Sequence, residues 1–252
     1  MKKTVLITGA TSGIGKSTAF LLAERGFRLI ITGRRKDRLQ QICNEIASKT
    51  ECFPLVFDVR NREEVLQSLA SLPEEWKQVD ILINNAGLAL GFEPIHENDY
   101  RDWDQMIDTN IKGLLYVTEM IVPQMVERRS GQIINLSSIA GKEPYGKGAV
   151  YCGTKHAVEA ITKSMRIDLN PYGIKVGTVS PGAVETEFSI VRLKDPEANR
   201  KVYAGYEPLH PEDVARAILF MIEQPPHVNI ADILILPTAQ ANATVFNRKK
   251  EN

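Results

Sequence analysis

Tyr151 and Lys155 stand four residues apart in Tyr151-Cys152-Gly153-Thr154-Lys155. On a helix that spacing puts both side chains on one face, with a backbone rise of about 6 Å between them. An ammonium beside a phenol favours the phenolate. The pair is therefore expected to lower the tyrosine from its reference pKa of about 10 toward working pH. Such a tyrosine is a usable acid–base group. Y-x-x-x-K is common by chance, and three further features give it weight. Ser138, thirteen residues earlier, closes the run Asn135-Leu136-Ser137-Ser138. Asn110 stands in Asp108-Thr109-Asn110-Ile111-Lys112-Gly113, inside a long helical pattern to which asparagine is poorly suited. Pro181-Gly182 follows a β-branched run, with Thr186 just beyond.

A second constellation opens the chain. Thr8-Gly9-Ala10-Thr11-Ser12-Gly13-Ile14-Gly15 follows the first apolar run and precedes a helical pattern. Gly9, Gly13 and Gly15 let the backbone turn tightly and approach a pyrophosphate, and a helix N-terminus just after them offers free N–H groups to it. Thr11, Ser12 and Ile14 belong to the same loop. The spacing is G-x-x-x-G-x-G rather than G-x-G-x-x-G, and no Gly-Lys-Ser/Thr follows, which disfavours nucleoside triphosphate hydrolysis. The second run ends in Gly33-Arg34-Arg35. Dinucleotide folds that bind NAD usually carry an acid here for the ribose 2′-OH. Gly33 has none, whereas Arg34 and Arg35 suit a phosphate, so the expected cofactor is NADP(H). The alternative for these arginines is a solvated basic start to a helix. Asp58-Val59 follows the third run, and Asp58 either accepts from an adenine amino group or caps a helix beginning near Arg62. Asn84-Asn85-Ala86-Gly87 ends the fourth run, where small residues allow close approach of a cofactor and the asparagines also suit a turn.

These residues need a scaffold that brings run ends together. Seven unalternating apolar runs recur: 5–7, 29–31, 53–57, 81–83, 132–136, 175–179 and 233–235. Such strands suit a parallel sheet covered on both faces. Helical patterns lie between them, notably 16–25, 36–48 and 150–169. The expected fold is α/β: a single-domain, doubly wound Rossmann fold with a seven-stranded parallel sheet over residues 1–246. Residues 183–210 lack a clear period and read as a mobile substrate loop, and 247–252 as a frayed polar tail.

Composition agrees. The 252 residues carry 31 basic and 31 acidic side chains, and a zero net charge argues against nucleic acid or an anionic membrane as main partner. No stretch approaches the roughly 20 apolar residues of a membrane span. The apolar run after Met1 breaks at Thr8-Gly9, too early for a signal peptide, so a soluble cytoplasmic protein is expected. Cys43, Cys52 and Cys152 match no metal motif and read as reduced thiols. The four histidines show no ligand spacing, and no metal is expected.

Taken together, TGATSGIG, NNAG, DTN, the serine before YCGTK, and PGAVET make the chain resemble the short-chain dehydrogenase/reductase family from Thr4 to about Pro237. The resemblance implies that Tyr151 exchanges the substrate proton and that Lys155 holds the nicotinamide ribose and tunes Tyr151. It further implies that Ser138 polarises the carbonyl oxygen, Asn110 supports a water relay behind Lys155, and Thr186 holds the nicotinamide carboxamide. A hydride then passes between the cofactor and a carbonyl carbon. Segments 88–91, 106–110, 188–192 and 228–240 are similar to the NADP-dependent 3-hydroxy acid (serine and allo-threonine) dehydrogenase subgroup. Pro237-Thr238 stands where the family usually carries glycines, and the tail after Ala243 is unmatched. Cys152 replaces a usual small residue and reads as packing.

A small 3-hydroxy acid needs a cation for its carboxylate. Arg192 is the first candidate and Lys194 the second, with a solvated loop charge as the alternative for Arg192. Other readings are a broad carbonyl or sepiapterin-like reductase, a non-catalytic NADP-binding sensor, and a structural oligomer scaffold. The family also implies a homotetramer through the helices at 111–126 and 150–169.

Overall fold

The computed structural model describes residues 2–193 and 202–249. Seven strands form one parallel sheet in the order β3-β2-β1-β4-β5-β6-β7: β1 Thr4–Ile7, β2 Arg28–Gly33, β3 Cys52–Val56, β4 Ile81–Asn84, β5 Gly131–Leu136, β6 Ile174–Pro181 and β7 Asp232–Ile235. All seven runs read from the sequence are strands. The order reverses between β1 and β4, which makes the carboxyl ends of these neighbours the natural crevice.

Why the strands are apolar throughout is visible in β1. Val5 and Ile7 pack against α1 (Gly13–Glu24), α2 (Lys36–Ile46) and the late helix Pro211–Ile222 on one face. Leu6 packs on the other with Val65 of α3 (Arg62–Ala70) and Val117 and Ile121 of the helix Leu114–Arg128. Successive side chains of a strand point to opposite faces, so in a sheet covered twice both faces of a strand bury apolar side chains.

Among the described residues the other α-helices include α4 (Glu74–Lys77), α5 (Tyr100–Ile107), α6 (Leu114–Arg128), α7 (Ala149–Leu169), α8 (Glu187–Leu193) and α9 (Pro211–Ile222). Between α5 and α6 the chain makes a π-helical segment, Asp108–Gly113. Such segments insert a wider turn and recur at functional sites. Here it aims Asn110 inward.

Within 183–210, which shows no clear period in the sequence, Glu187–Leu193 is an α-helix. Two expectations are corrected. Asn247 and Lys249 are hydrogen bonded to Ala239 and Gly205, and Phe246 stacks on Tyr206, so the tail is docked through Lys249 rather than frayed. Cys43 and Cys52 form a disulfide rather than two free thiols, leaving Cys152 free and buried. Cys43 lies on the inner face of α2, and the turn back into β3 brings the two Cα atoms to 5.3 Å, ordinary disulfide range. Among the described residues no helix is long and apolar enough to cross a membrane.

Candidate active site

A cleft of about 370 Å³ follows the carboxyl ends of the central strands, from Arg34 and Asp58 at one end to Tyr151 and Phe188 at the other. It is lined by Gly9, Thr11, Ser12, Gly13, Ile14, Arg35, Val59, Asn85, Ala86, Gly87, Ser138, Lys155, Pro181, Gly182 and Thr186 as well. Of the residues singled out from the sequence, Gly15, Asn110 and Arg192 do not line it. Gly15 acts by packing: a Cβ there would lie 2.5 Å from the Gly9 carbonyl oxygen. Gly9 has a φ of +68°, and a Cβ would meet the Ala86 backbone at 2.8 Å. The loop is thus pressed flat against the end of β4. Asn85 pins it there, donating from Nδ2 to the carbonyls of Thr8 (2.8 Å) and Gly9 (3.1 Å). Ser12 is the N-cap of α1 but its side chain makes no capping bond, so first-turn N–H groups remain for an anion in the cleft.

The basic end is explained by Gly33. A Cβ at that position would lie 2.7 Å from Cγ2 of Thr11, so an acid cannot stand there without displacing the Thr11 side chain. Arg35 instead donates to Thr11 Oγ1 (3.0 Å) and Ser12 Oγ (2.8 Å), and pairs with Glu187 at 2.9 Å. Arg38 pairs with the same carboxylate at 2.8 Å. Arg34 lies 3.6 Å from Asp58. These arginines are exposed at the start of α2, and each also reaches a carboxylate or a loop hydroxyl at the edge of the cleft. Asp58 does not cap α3; Asn61 does, accepting from the N–H groups of Glu63 and Glu64. The Asp58 carboxylate is gripped by Arg60 at 2.6 Å. Burial alone would raise its pKa, but the hydrogen bonds and charge of Arg60, with Arg34, hold it below the usual range.

At the other end, α7 presents Tyr151 and Lys155 inward, 7% and 5% exposed. Lys155 donates from Nζ to the Leu136 carbonyl at 2.9 Å, and its Nζ lies 6.0 Å from the Tyr151 ring centre. Burial lowers the Lys155 pKa to about 8, opposed by the charge of Glu159. Tyr151 departs from expectation: its pKa is raised, not lowered. Burial is the main cause, and neighbouring Tyr145 adds to it, against the Ser138 hydrogen bond and the Arg192 charge. The physical reason is that helical spacing supplied a cation beside the phenol, while the fold removed both from water and pushed each toward its neutral form. A protonated phenol is what donation to a carbonyl oxygen requires.

Ser138 caps the short 3-10 turn Ile139–Gly141, accepting from Ala140 N, and donates to the Pro181 carbonyl. Asn110 accepts from Leu88 N and donates to the Leu88 carbonyl, both at 2.8 Å, and to Thr154 Oγ1 at 3.0 Å. It joins the loop after β4 to α7. Thr186 accepts from Phe188 N, opening α8, and its methyl would lie 3.3 Å from a Cβ at Gly13.

Arg192 is not a solvated loop charge. Its Nε donates to the Gly91 carbonyl (3.2 Å) and Nη1 to the Tyr145 hydroxyl (2.8 Å). The guanidinium carbon lies 5.5 Å from the Tyr151 ring centre. Nη2 is buried and has no hydrogen-bond partner among the described residues. Lys194, the second candidate, lies outside the described residues.

Sequence reasoning missed Arg60, Glu187 and Tyr145. Arg60 carried a signal only in standing two residues from Asp58, within reach of its carboxylate. Glu187 and Tyr145 carried none, since their partners are 152 and 47 residues away.

A family model described as short chain dehydrogenase matches residues 3–197. A probable NADP-dependent dehydrogenase of Haemophilus influenzae is 48% identical over 250 residues, covering 98% of both chains. The NADP-dependent 3-hydroxy acid dehydrogenase YdfG of Escherichia coli K12 is 44% identical, covering 95% of this chain and 96% of its own. Among solved structures, the closed form of a serine dehydrogenase complexed with NADP+ superposes with a TM-score of 0.92 at 43% identity, covering 98% of this chain and all of that one.

Proposed function

Because the chain belongs to the short chain dehydrogenase family, we propose that it is an NADP-dependent oxidoreductase that interconverts a small 3-hydroxy acid, or a β-hydroxy amino acid of the serine type, and its carbonyl form. The cofactor fits the cleft: glycines open its floor, Ser12 leaves the α1 N-terminus free, and Arg34 and Arg35 suit a 2′-phosphate. Bound NADP(H) supplies the hydride chemistry. The chain's own residues do the rest. Ser138 and Tyr151 hold the substrate oxygen, Tyr151 exchanges its proton, and Lys155 supports the phenol and the ribose. Asn110 fixes the loop behind Lys155, and Thr186 holds the carboxamide. The similarity to the 3-hydroxy acid and serine dehydrogenases named above supports the same substrate class. A homotetramer in the cytoplasm completes this reading. The oligomer is supported by apolar side chains left exposed on α6 and α7, Leu115 at 40% and Ile167 at 74%.

The observation that carries the substrate assignment is the Nη2 of Arg192 beside Tyr151, unpartnered among the described residues. A buried donor without an acceptor costs about 1–3 kcal/mol, and a substrate carboxylate removes that cost with a charge-assisted bond. Arg192→Gln is therefore expected to raise KM for 3-hydroxypropionate and L-serine by roughly 10- to 100-fold, the size of one such bond. The KM for neutral alcohols should stay within about twofold. An equal loss on both substrate sets would assign Arg192 to loop structure and return the chain to a broad carbonyl reductase.

A further inference from the structure

Behind Lys155 lies a charge cluster, buried at Glu159 and open to solvent at Asp232, that none of the roles above uses. Glu159 stands one helical turn on from Lys155 in α7, on the same inner face, 5% exposed. Its Oε2 accepts from Lys142 Nζ at 2.7 Å and its Oε1 from Ser180 Oγ at 2.9 Å. Lys142 also pairs with Asp232 at 2.7 Å, and Asp232 accepts from Thr178 Oγ1 at 2.7 Å. The cluster ties four pieces of chain together: α7, the turn after Ser138, β6 just before Pro181, and β7. Two of those pieces carry Ser138 itself and the Pro181 carbonyl that Ser138 reaches.

We propose that Glu159 is a positioning residue for the Tyr151–Lys155 pair, its buried carboxylate acting as counter-charge to the Lys155 ammonium while Ser180 and Lys142 lock the strand ends that present Ser138. Removing two or more charges from water is costly unless they compensate one another. Among the described residues, the other elements around Lys155 offer no second anion. The loop after β4 brings Gly87, the π segment brings Asn110, and β5 brings the Leu136 carbonyl. The titratable neighbours are Tyr151 on α7, with Tyr145 and Arg192 beyond its ring. Burial pulls the Lys155 ammonium down to about pH 8, and Glu159 pulls in the opposite direction.

The sign follows. Lys155 must be protonated to support a phenol that donates to a carbonyl, so kcat/KM for reduction falls as pH rises through the Lys155 pKa. Glu159→Gln removes the counter-charge and moves that alkaline limb to lower pH, by on the order of one unit, a tenfold change in the ionisation equilibrium. Lys142→Gln removes the cation that competes for the carboxylate and moves the limb upward. Ser180→Ala deletes a hydrogen bond but no charge; it lowers Tm and leaves the limb in place. Glu159→Asp keeps the charge and returns the limb to within a few tenths of the parent value. The assay is reduction of a 3-oxo acid with NADPH across pH 6–10, with Tm recorded for each variant.

The inference rests on the oxidoreductase function proposed above, and the parent enzyme's own activity tests that function separately. If Glu159→Gln loses rate or Tm with an unmoved limb, Glu159 is structural only and the proposal fails. Should that variant not fold, Lys142→Gln decides: an upward shift supports the counter-charge, and no shift or a downward one overturns it.

Discussion

Tyr151→Phe is expected to reduce kcat by about 10³-fold, within the 10²–10⁴ range of a lost general acid, while cofactor affinity changes by less than about twofold. The split follows from the surroundings of the ring. Tyr151 is 7% exposed and held by Phe188 at 5.7 Å between ring centres, with the Arg192 guanidinium 5.5 Å away. None of those contacts uses the hydroxyl, so phenylalanine keeps the packing and the closed end of the cleft. What is lost is the hydroxyl's hydrogen bond with Ser138 and, with it, one proton donor whose burial keeps it in the neutral form. Steady-state kinetics with NADPH and a 3-oxo acid gives kcat, and fluorescence titration gives the cofactor Kd. A decrease of less than tenfold in kcat would assign the proton transfer to another group. A loss of Tm of several degrees would show that the hydroxyl has a structural task as well.

Replacing Arg34 with Asp and Arg35 with Ala together is expected to lower the NADP/NAD ratio of kcat/KM by roughly 10²-fold, about 2.7 kcal/mol. The estimate assumes that two charge-assisted contacts to the 2′-phosphate are lost and that one carboxylate is gained for a ribose hydroxyl. Position 34 rather than 33 must carry the new acid, because Thr11 Cγ2 occupies the space a Cβ on Gly33 would need. Arg38 and Arg60 stay in place, so some attraction to phosphate should persist, and the effect should shrink as salt rises. An unchanged ratio would remove these arginines from phosphate recognition and leave them as partners of Glu187, Asp58 and the loop hydroxyls.

The two variants differ in how far sequence alone supports them. Tyr151 and Lys155 could be paired from spacing because α7 is a regular helix, and i to i+4 on a helix is a distance. Gly9, Gly13 and Gly15 could be read as a phosphate loop because a positive φ or a blocked Cβ admits little else. The seven strands were legible because a sheet covered on both faces demands uninterrupted apolar runs. Asn110 was recognised as out of place in a helix, but its task came only with the π segment that turns it toward Leu88 and Thr154. The ionisation of Tyr151 was read with the wrong sign, since spacing supplies a neighbour and says nothing of how much water that neighbour displaces.

The amino-acid sequence by itself thus determined the architecture, the phosphate loop, the basic end of the cleft and the Tyr–Lys pair. Each depends on periodicity or on contacts within a turn or two of chain. Only the tertiary structure decided the rest. Arg192 became a half-buried, anchored cation because Gly91, 101 residues away, and Tyr145, 47 away, fold onto it. Glu159 became a counter-charge because Lys142 and Ser180 arrive from other elements. Cys43 and Cys52 became a bridge because α2 turns back into β3. Burial, partner and charge state are properties of packed neighbours, and in these cases the neighbours that matter are distant in the chain.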